Sequence, residues 1–250
     1  MTLPQGYHTA GDTRVCKLLK SLYGLKQASR KWNEKLCASL FSFDFHQSIN
    51  DYSLFVRNKN NTLVFLLVYV DDIILTGNSE FEINKVKDFL KTQFLIKDLR
   101  RLKYFLGIEA IDVKNGICLN QRKYCLELLH EFGMLGCKPI KTPLEANFVL
   151  DRSVNNNKDV LINITEYQKL IGKLIYLTIT RPDISYSVQC LSQFMHRPCK
   201  VHLDIAFRLL RYLKNSPRKC VFISKSTNVD LKVFVDADWA KCLDTRKSVT

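Results

Sequence analysis

The stretch "FLLVYVDDIILTGN", residues 65–78, limits the possible folds more than any other part of the chain. Its two adjacent aspartates, Asp71 and Asp72, interrupt an otherwise apolar run. The apolar segments on either side, Leu63–Val70 and Ile73–Thr76, have the length and composition of β-strands. Aspartate is a favoured turn residue, so the simplest interpretation is a hairpin with both aspartates at its tip.

A cation site is the alternative interpretation of the same pair. The flanking segments are apolar at successive positions, which predicts that both faces are covered and that the turn lies near a core. Neither aspartate is followed by glycine, which the common tight turns favour. Two like charges in a partly dry site repel unless a cation or a proton lies between them. Magnesium prefers oxygen ligands, and paired carboxylates that hold it are suited to nucleotidyl transfer.

The net charge favours a polyanionic partner. Lysine and arginine outnumber aspartate and glutamate by 38 to 24, which gives a formal charge of +14. An excess of this size suits nucleic acid or an anionic membrane surface. The longest apolar run is Leu63–Val70, whereas a membrane-spanning helix needs about 20 residues. The sequence therefore predicts nucleic acid rather than a membrane as the partner.

The cysteines indicate the redox compartment. There are nine, an odd number, and none forms a CxxC pair. A disulfide framework or a zinc ribbon would show tighter spacing. We expect buried, reduced thiols in an intracellular reducing compartment, either cytoplasm or nucleus.

Apolar periodicity predicts the other elements. Helices are expected over much of Lys17–Phe45 with a break at Gly24, and over Phe81–Phe94, Tyr124–Phe132, Thr165–Thr178, Asp183–Met195 and Val201–Lys214. Strands are expected at Leu54–Val56, Tyr104–Val113 and Ile117–Asn120, and from Leu231 onwards. Ser79 and Glu82 form a capping-box pattern before the second of these helices.

Basic residues cluster in two stretches, 14–35 and 197–219, each with seven lysines or arginines and one acid. In the second stretch Arg208, Arg211 and Lys214 recur every three residues and form a basic stripe on one side of a predicted helix. The stripe suits contact with a phosphate backbone. A solvated surface helix is the alternative interpretation.

Five motifs, in order and spacing, resemble the reverse transcriptase of Ty1/copia-type retrotransposons. They are "KSLYGLKQASRKW" (Lys20–Trp32), "YVDD" (Tyr69–Asp72), "IKDLRRLKYFLGIE" (Ile96–Glu109), "LTITRPDISYSV" (Leu177–Val188) and, from Phe234, "FVDADWAKCLDTRKSVT". The last resembles the first strand of the RNase H domain that follows in such polyproteins. The resemblance covers essentially the whole chain.

This resemblance implies an α+β fold in which a palm-like antiparallel sheet is backed by helices. A mostly helical thumb or connection region and an incomplete RNase H-like strand follow. The implied domains are a truncated palm at 1–137, a linker or long loop at 138–163, the helical region at 164–230 and the truncated RNase H strand at 231–250.

The resemblance also implies a site that binds an RNA or DNA template–primer. Asp71 and Asp72 would hold Mg²⁺, with Mn²⁺ as the alternative ion, and catalyse RNA-directed DNA synthesis, with Tyr69 beside the primer terminus. The template and the incoming nucleotide would be supported by Tyr23, Gly24, Lys26 and Gln27. The primer grip would contain Phe105, Leu106 and Gly107. The first metal ligand of the separate RNase H site would be Asp236. Phe105 and Leu106 could instead be core residues, and Asp236 a strand-end acid.

Departures from the family pattern predict that the chain is an inactive fragment of a larger Pol polyprotein. In the family, the third carboxylate lies on a strand that precedes the segment resembling "LPQGY". The fingers subdomain also precedes that segment. Arg100 and Arg101 stand where relatives usually have glycine and a small or acidic residue, and Ser29 stands where many have proline. The alternatives are a non-catalytic nucleic-acid-binding remnant and a product with no selected function.

Overall fold

The computed structural model describes residues 6–7, 11, 13–19, 22, 24–145, 163–225 and 233–235. The chain divides into two compact units, Met1–Arg100 and Arg101–Thr250. This division falls before residue 137, where the resemblance places the end of the palm, and the extent of each domain stays a prediction.

In the first unit, two helices pack on one face of an antiparallel sheet. The helices are α1 (Ala28–Ser42) and α2 (Glu80–Gln93), and the strands, in sheet order, are β1 (His46–Gln47), β2 (Leu54–Lys59), β3 (Thr62–Tyr69) and β4 (Asp72–Gly77). Alternate strand residues such as Phe55 and Leu66 are buried against helix residues such as Leu40 and Leu90. On the opposite face Leu67 is only partly buried. The continuous apolar run therefore does not reflect equal burial of both faces.

The first predicted helix is correct only in its second half. Helix α1 begins at Ala28. Leu18, Leu22 and Leu25 lie outside any helix and are 40%, 47% and 45% exposed. Helical spacing of apolar residues stabilises a helix only when those residues pack against a partner. Gly24, the predicted break, adopts a left-handed φ of +86°.

The predicted capping box of α2 forms only in part. The Ser79 hydroxyl accepts a hydrogen bond from the Glu82 backbone N–H at 3.4 Å. The Glu82 carboxylate instead binds Arg57 on β2 and Lys85, both at 2.9 Å. Arg57 is buried, and its ion pair with Glu82 connects α2 to the sheet. In a complete capping box, the Glu82 carboxylate would instead accept a hydrogen bond from the backbone at the start of the helix.

The second unit combines helices with a second antiparallel sheet. Its helices are α3 (Arg122–Glu131), α4 (Ile164–Leu177), α5 (Ser185–Ser192) and α6 (Lys200–Asn215), with a 3₁₀ turn at Pro182–Ile184. Its strands, in sheet order, are β5 (Tyr104–Phe105), β6 (Ile108–Val113), β7 (Gly116–Asn120) and β8 (Val221–Ser224). The helices share one core, in which Leu129, Leu174, Leu191 and Leu209 are fully buried. The described residues thus confirm an α+β fold with antiparallel sheets.

One strand prediction of the second unit needs correction, and one strand was missed. The expected strand Tyr104–Val113 is divided into β5 and β6 by a turn at Leu106–Gly107. Strand β8, which pairs with β7, was not predicted. The predicted strand from Leu231 lies largely outside the described residues, and the described part, Val233–Val235, is exposed and does not belong to a strand.

The cysteines are less buried than expected. Among those described, only Cys125 and Cys199 are buried. Burial raises the pKa of the Cys125 thiol to about 11. In the described part of the chain, no helix has both the length and the apolar character needed to cross a membrane.

Candidate active site

The Asp71–Asp72 pair lies on a hairpin, as the sequence predicts. Tyr69 on β3 pairs with Asp72 on β4, which leaves Val70 and Asp71 as a two-residue loop. Asp71 is therefore a turn residue, while Asp72 is the first residue of a strand. The absence of a following glycine, which argued against a tight turn, does not prevent one here.

Val70 takes the strained position in this turn. Its φ is +51°, a left-handed conformation that is a genuine outlier for a β-branched residue. Such strain costs about 1–3 kcal/mol and persists only where the surroundings hold it. The Trp32 indole Nε1 donates a hydrogen bond to the Val70 carbonyl at 3.0 Å. Sequence reasoning placed Trp32 in a family motif but did not connect it with the turn.

The two carboxylates are open to solvent. Both Asp71 and Asp72 are exposed, which corrects the prediction of a turn beside a partly dry core. Water screens the repulsion between them, so burial supplies no argument for a cation. Neither carboxylate has a hydrogen-bond or ion-pair partner among the described residues. Their oxygens therefore remain available to an external ligand.

The donor set suits magnesium that is also held by a substrate. No group of three or more histidine, cysteine, aspartate or glutamate side chains that could hold a metal occurs in the described residues. Magnesium is commonly bound through one or two carboxylates together with substrate phosphates. Asp71 and Asp72 fit that role, but they do not form a self-sufficient metal centre.

The residues predicted to support the template lie just before α1. Gly24, Lys26 and Gln27 are exposed, and Gln27 occupies the N-cap position without a side-chain cap bond. Tyr23 lies outside the described residues. Arg30 and Lys31, in the first turn of the helix, both pair with Glu34, at 3.2 and 2.8 Å. These two exposed ion pairs place Arg30 and Lys31 on a solvated face of α1.

In the second unit, the predicted primer-grip residues form another strained turn. Leu106 and Gly107 join β5 to β6 with φ values of +50° and +79°. The Tyr176 hydroxyl on α4 donates a hydrogen bond to the Leu106 carbonyl. Leu106 is 37% exposed and belongs to neither core cluster. The core alternative for Leu106 is therefore not supported, whereas Phe105 is partly buried.

The basic stripe on α6 contacts the chain's own segment 135–145. Arg208 donates to Glu145 at 2.9 Å and to Thr142 at 3.0 Å. Arg211 donates to the Lys138 carbonyl at 2.8 Å. Lys214 donates to the carbonyls of residues 135 and 137. The stripe thus has intramolecular partners, and its contact with nucleic acid stays a prediction.

The same contacts show what the first part of the predicted linker does. Ile140 and Leu144 pack against the helical core of the second unit. The Ile140 backbone N–H also donates to the Arg211 carbonyl at 3.3 Å. Residues 138–145 are therefore packed against the unit, whereas 146–162 lie outside the described residues.

Asp236, the predicted RNase H ligand, also lies outside the described residues. The structure instead reveals a charged network in the "TRPDI" segment that sequence reasoning used only as part of the resemblance. Arg181 forms two hydrogen bonds of 2.9 Å with the Asp183 carboxylate. Tyr212 donates to the same carboxylate at 2.7 Å and Lys219 at 3.3 Å.

This network fixes the ionisation of Asp183. Burial opposes the charged form, but the hydrogen bonds and charges of Arg181, Tyr212 and Lys219 together outweigh it and hold the pKa of Asp183 well below its usual range. Arg181 is 3% exposed in its side chain and needs this carboxylate as a partner. The network is therefore a structural ion pair of the second unit.

Comparison with known proteins identifies the family. The chain matches the model of the reverse transcriptase (RNA-dependent DNA polymerase) family over residues 1–146. It is 45% identical over 226 residues to the Retrovirus-related Pol polyprotein from transposon RE1 of Arabidopsis thaliana, which is 90% of this chain and 15% of that protein. It is 34% identical to the Retrovirus-related Pol polyprotein from transposon TNT 1-94 of Nicotiana tabacum, across 100% of this chain and 19% of that protein. The chain therefore belongs to the reverse transcriptase family, and its homologues include Pol polyproteins of the Ty1/copia type.

The match to a shorter relative covers about three quarters of both proteins. The chain is 41% identical over 187 residues to the Uncharacterized mitochondrial protein AtMg00810 of Arabidopsis thaliana, which is 75% of this chain and 76% of that protein. In contrast, it spans less than a fifth of the RE1 and TNT 1-94 polyproteins. No solved structure matches the chain.

Proposed function

We propose that the chain is the part of a Pol polyprotein in which Asp71 and Asp72 take part in RNA-directed DNA synthesis. The observation that carries this proposal is an exposed carboxylate pair, without partners among the described residues, on a strained turn of a reverse transcriptase chain. Bound magnesium would stabilise the charge that develops on the nucleotide phosphates and lower the pKa of the primer hydroxyl. The pair would hold that ion jointly with those phosphates.

The other site residues would position the template–primer. Tyr69 lies directly beside the pair in β3 and half of its surface is exposed, so it can stack beside a primer terminus. Gly24, Lys26 and Gln27 would contact template or nucleotide through exposed groups at the start of α1. Within this proposal the first 137 residues act as palm, 164–230 as thumb or connection, and 231–250 as the start of RNase H.

The isolated 250-residue chain should not extend primers. The described residues bring only two carboxylates together at the turn, and two-metal phosphoryl transfer requires more ligands than that. Removal of one electrostatic contributor typically lowers the rate about 10²–10³-fold. We therefore expect a longer segment of a Pol polyprotein to be necessary for catalysis.

Primer extension on an RNA template tests the proposal. The isolated chain should give no product, and a longer polypeptide that adds the upstream family segment should give product that is lost in Asp71→Asn. An amide cannot supply the anionic oxygen that the ion requires. Extension by the isolated chain that disappears in Asp71→Asn would overturn the argument from incomplete ligands. Extension by the longer polypeptide that survives Asp71→Asn would overturn the site itself.

Non-catalytic nucleic-acid binding is the second candidate, favoured by the net charge of +14. Fluorescence anisotropy with a hybrid duplex should show weak, sequence-independent binding whose affinity falls steeply with salt. Absence of binding by the isolated chain at low salt would contradict this second candidate. Binding by the isolated chain without catalysis by the longer polypeptide would favour this second candidate.

A further inference from the structure

Two turns that carry predicted site residues are built in the same way. In each, an aliphatic residue with positive φ has a carbonyl that accepts a hydrogen bond from an aromatic side chain of a helix in the same unit. Trp32 on α1 donates to Val70, and Tyr176 on α4 donates to Leu106. Positive φ at aliphatic residues is maintained only where the surroundings hold it.

The indole of Trp32 is itself fixed by packing. Its ring lies edge-on to Phe94, with ring centroids 5.1 Å apart and planes at 81°. Trp32 packs against the core that contains Leu36 and Leu40. The hydrogen-bond donor is therefore oriented independently of the turn that it contacts.

The bond acts directly on the path of the chain into the carboxylate pair. The Val70 carbonyl belongs to the planar peptide group that joins Val70 to Asp71. A hydrogen bond that fixes this plane also fixes the direction in which the chain enters Asp71. No side-chain bond of Asp71 or Asp72 within the described residues does the same.

Tyr176 is placed against its turn by a second, independent set of contacts. A Cβ atom added to Gly107 would lie 3.6 Å from both the ring and the hydroxyl of Tyr176. The Tyr176 ring also lies edge-on to Tyr124, with centroids 5.2 Å apart. Tyr176 therefore contacts the turn through its ring and through its hydroxyl.

We propose that Trp32 is a positioning residue for the Asp71–Asp72 pair and Tyr176 a positioning residue for the Leu106–Gly107 turn. The proposal rests on the proposed function, which assigns metal to the first turn and template–primer to the second. The backbone order parameters of each turn can nevertheless be measured in the 250-residue chain without metal or nucleic acid. The positioning roles and the proposed function can therefore fail separately.

For the first turn, Trp32→Phe removes the N–H donor and keeps an aromatic ring. Amide ¹⁵N relaxation should show the order parameter of Asp71 falling from about 0.85 to below about 0.6. Mn²⁺ affinity at the pair, read from paramagnetic broadening, should fall about three- to tenfold. Phe43→Leu is the control, since it removes a ring stacked 4.3 Å from Phe89 in the same core, and it should leave Asp71 ordered.

An unchanged order parameter in Trp32→Phe, or an equal loss in Phe43→Leu, would overturn the role of Trp32. If the unsubstituted chain binds no Mn²⁺ at the pair while Trp32→Phe still loosens Asp71, the positioning role stands and the metal assignment of the proposed function fails.

For the second turn, Tyr176→Phe should lower the order parameter of Gly107 and weaken template–primer binding at low salt about three- to tenfold. Tyr167→Phe is the matched control, because Tyr167 also lies on α4 and donates to a backbone carbonyl, that of Leu191, at 2.8 Å. Tyr167→Phe should lower the melting temperature without changing the order parameter of Gly107 or the affinity for template–primer. Equal effects of the two variants on Gly107 would overturn the role of Tyr176, even if neither protein binds nucleic acid.

Discussion

Asp183 and the Asp71–Asp72 pair are aspartates that the same chain uses in opposite ways. The Asp183 carboxylate accepts hydrogen bonds from Arg181, Tyr212 and Lys219 and neutralises a buried guanidinium. Asp71 and Asp72 are exposed and have no such partner in the described residues. The described residues satisfy the first carboxylate and leave the other two available.

The difference separates a residue that holds the fold from residues that need an external ligand. Asp183 contributes stability because its removal would strand a buried charge. The pair contributes little, and its turn also carries the strain at Val70. A site held in a costly conformation, with its acceptors unused, is what a binding role would require.

The largest expected effect is at Asp183. Asp183→Asn leaves Arg181 buried without its counter-charge, so the free energy of unfolding should fall by about 3 kcal/mol or more. Urea denaturation followed by circular dichroism measures it. Asp112→Asn breaks an exposed pair with Arg101, with side chains 60% and 86% exposed, and should cost less than about 0.5 kcal/mol. Equal losses in the two variants would contradict the comparison.

The same carboxylate predicts a dependence of stability on pH. Because the folded pKa of Asp183 lies below its unfolded value, near 3.9, the ion pair contributes fully above about pH 4. Its contribution is lost as the pH falls further toward the folded pKa. Denaturation curves at pH 6, 4 and 3 should show the gap between the unsubstituted chain and Asp183→Asn narrowing below pH 4. Parallel slopes would show that another group dominates.

A smaller effect, of opposite sign, is expected at the strained turn. Val70→Asn should raise the free energy of unfolding by about 1 kcal/mol, since asparagine tolerates left-handed backbone. The turn between β2 and β3 supplies the reverse test, because Asn60 and Asn61 have φ values of +51° and +61°. Asn60→Val should therefore lower stability by about 1 kcal/mol. Thermal unfolding of both variants measures these changes in the free energy of unfolding. A destabilising effect of Val70→Asn would show that Val70 is not strained.

The smallest effect on stability is expected for the pair itself. Asp71→Asn and Asp72→Asn remove exposed charges that have no partner in the described part of the chain, so each should change the free energy of unfolding by less than about 0.5 kcal/mol. Paramagnetic broadening of the turn by Mn²⁺ should nevertheless be lost in both. A loss of stability above about 1 kcal/mol would mean that these carboxylates support the fold.

Features set by neighbouring residues were predictable from the sequence. The hairpin at Asp71 follows from two apolar runs joined by turn-forming residues, and α4 and α6 follow from their periodicity. Leu18 and Leu22 have the same periodicity but are exposed and belong to neither core cluster of the described residues. The Leu106–Gly107 turn was missed because its leucine resembles the continuation of a strand.

Features set by distant residues were not predictable. Trp32 and Val70 are 38 residues apart in the chain, and no local pattern links an indole with one carbonyl. Arg208 reaches Glu145 across 63 residues, so its place in a basic stripe indicated solvent or phosphate rather than the chain itself. Strand β8 forms by pairing with β7, about a hundred residues earlier.

The valine at position 70 also bears on how copies of this chain change over generations. A copy that is not under selection for the Asp71–Asp72 turn gains stability when Val70 is replaced by asparagine or glycine. In such a copy, these replacements raise the free energy of unfolding. A copy in which the site also requires the Val70 side chain keeps an aliphatic residue there in spite of that gain in stability. Among closely related copies, the identity of residue 70 should therefore report whether selection on the turn persists, independently of whether the aspartates themselves have yet been lost.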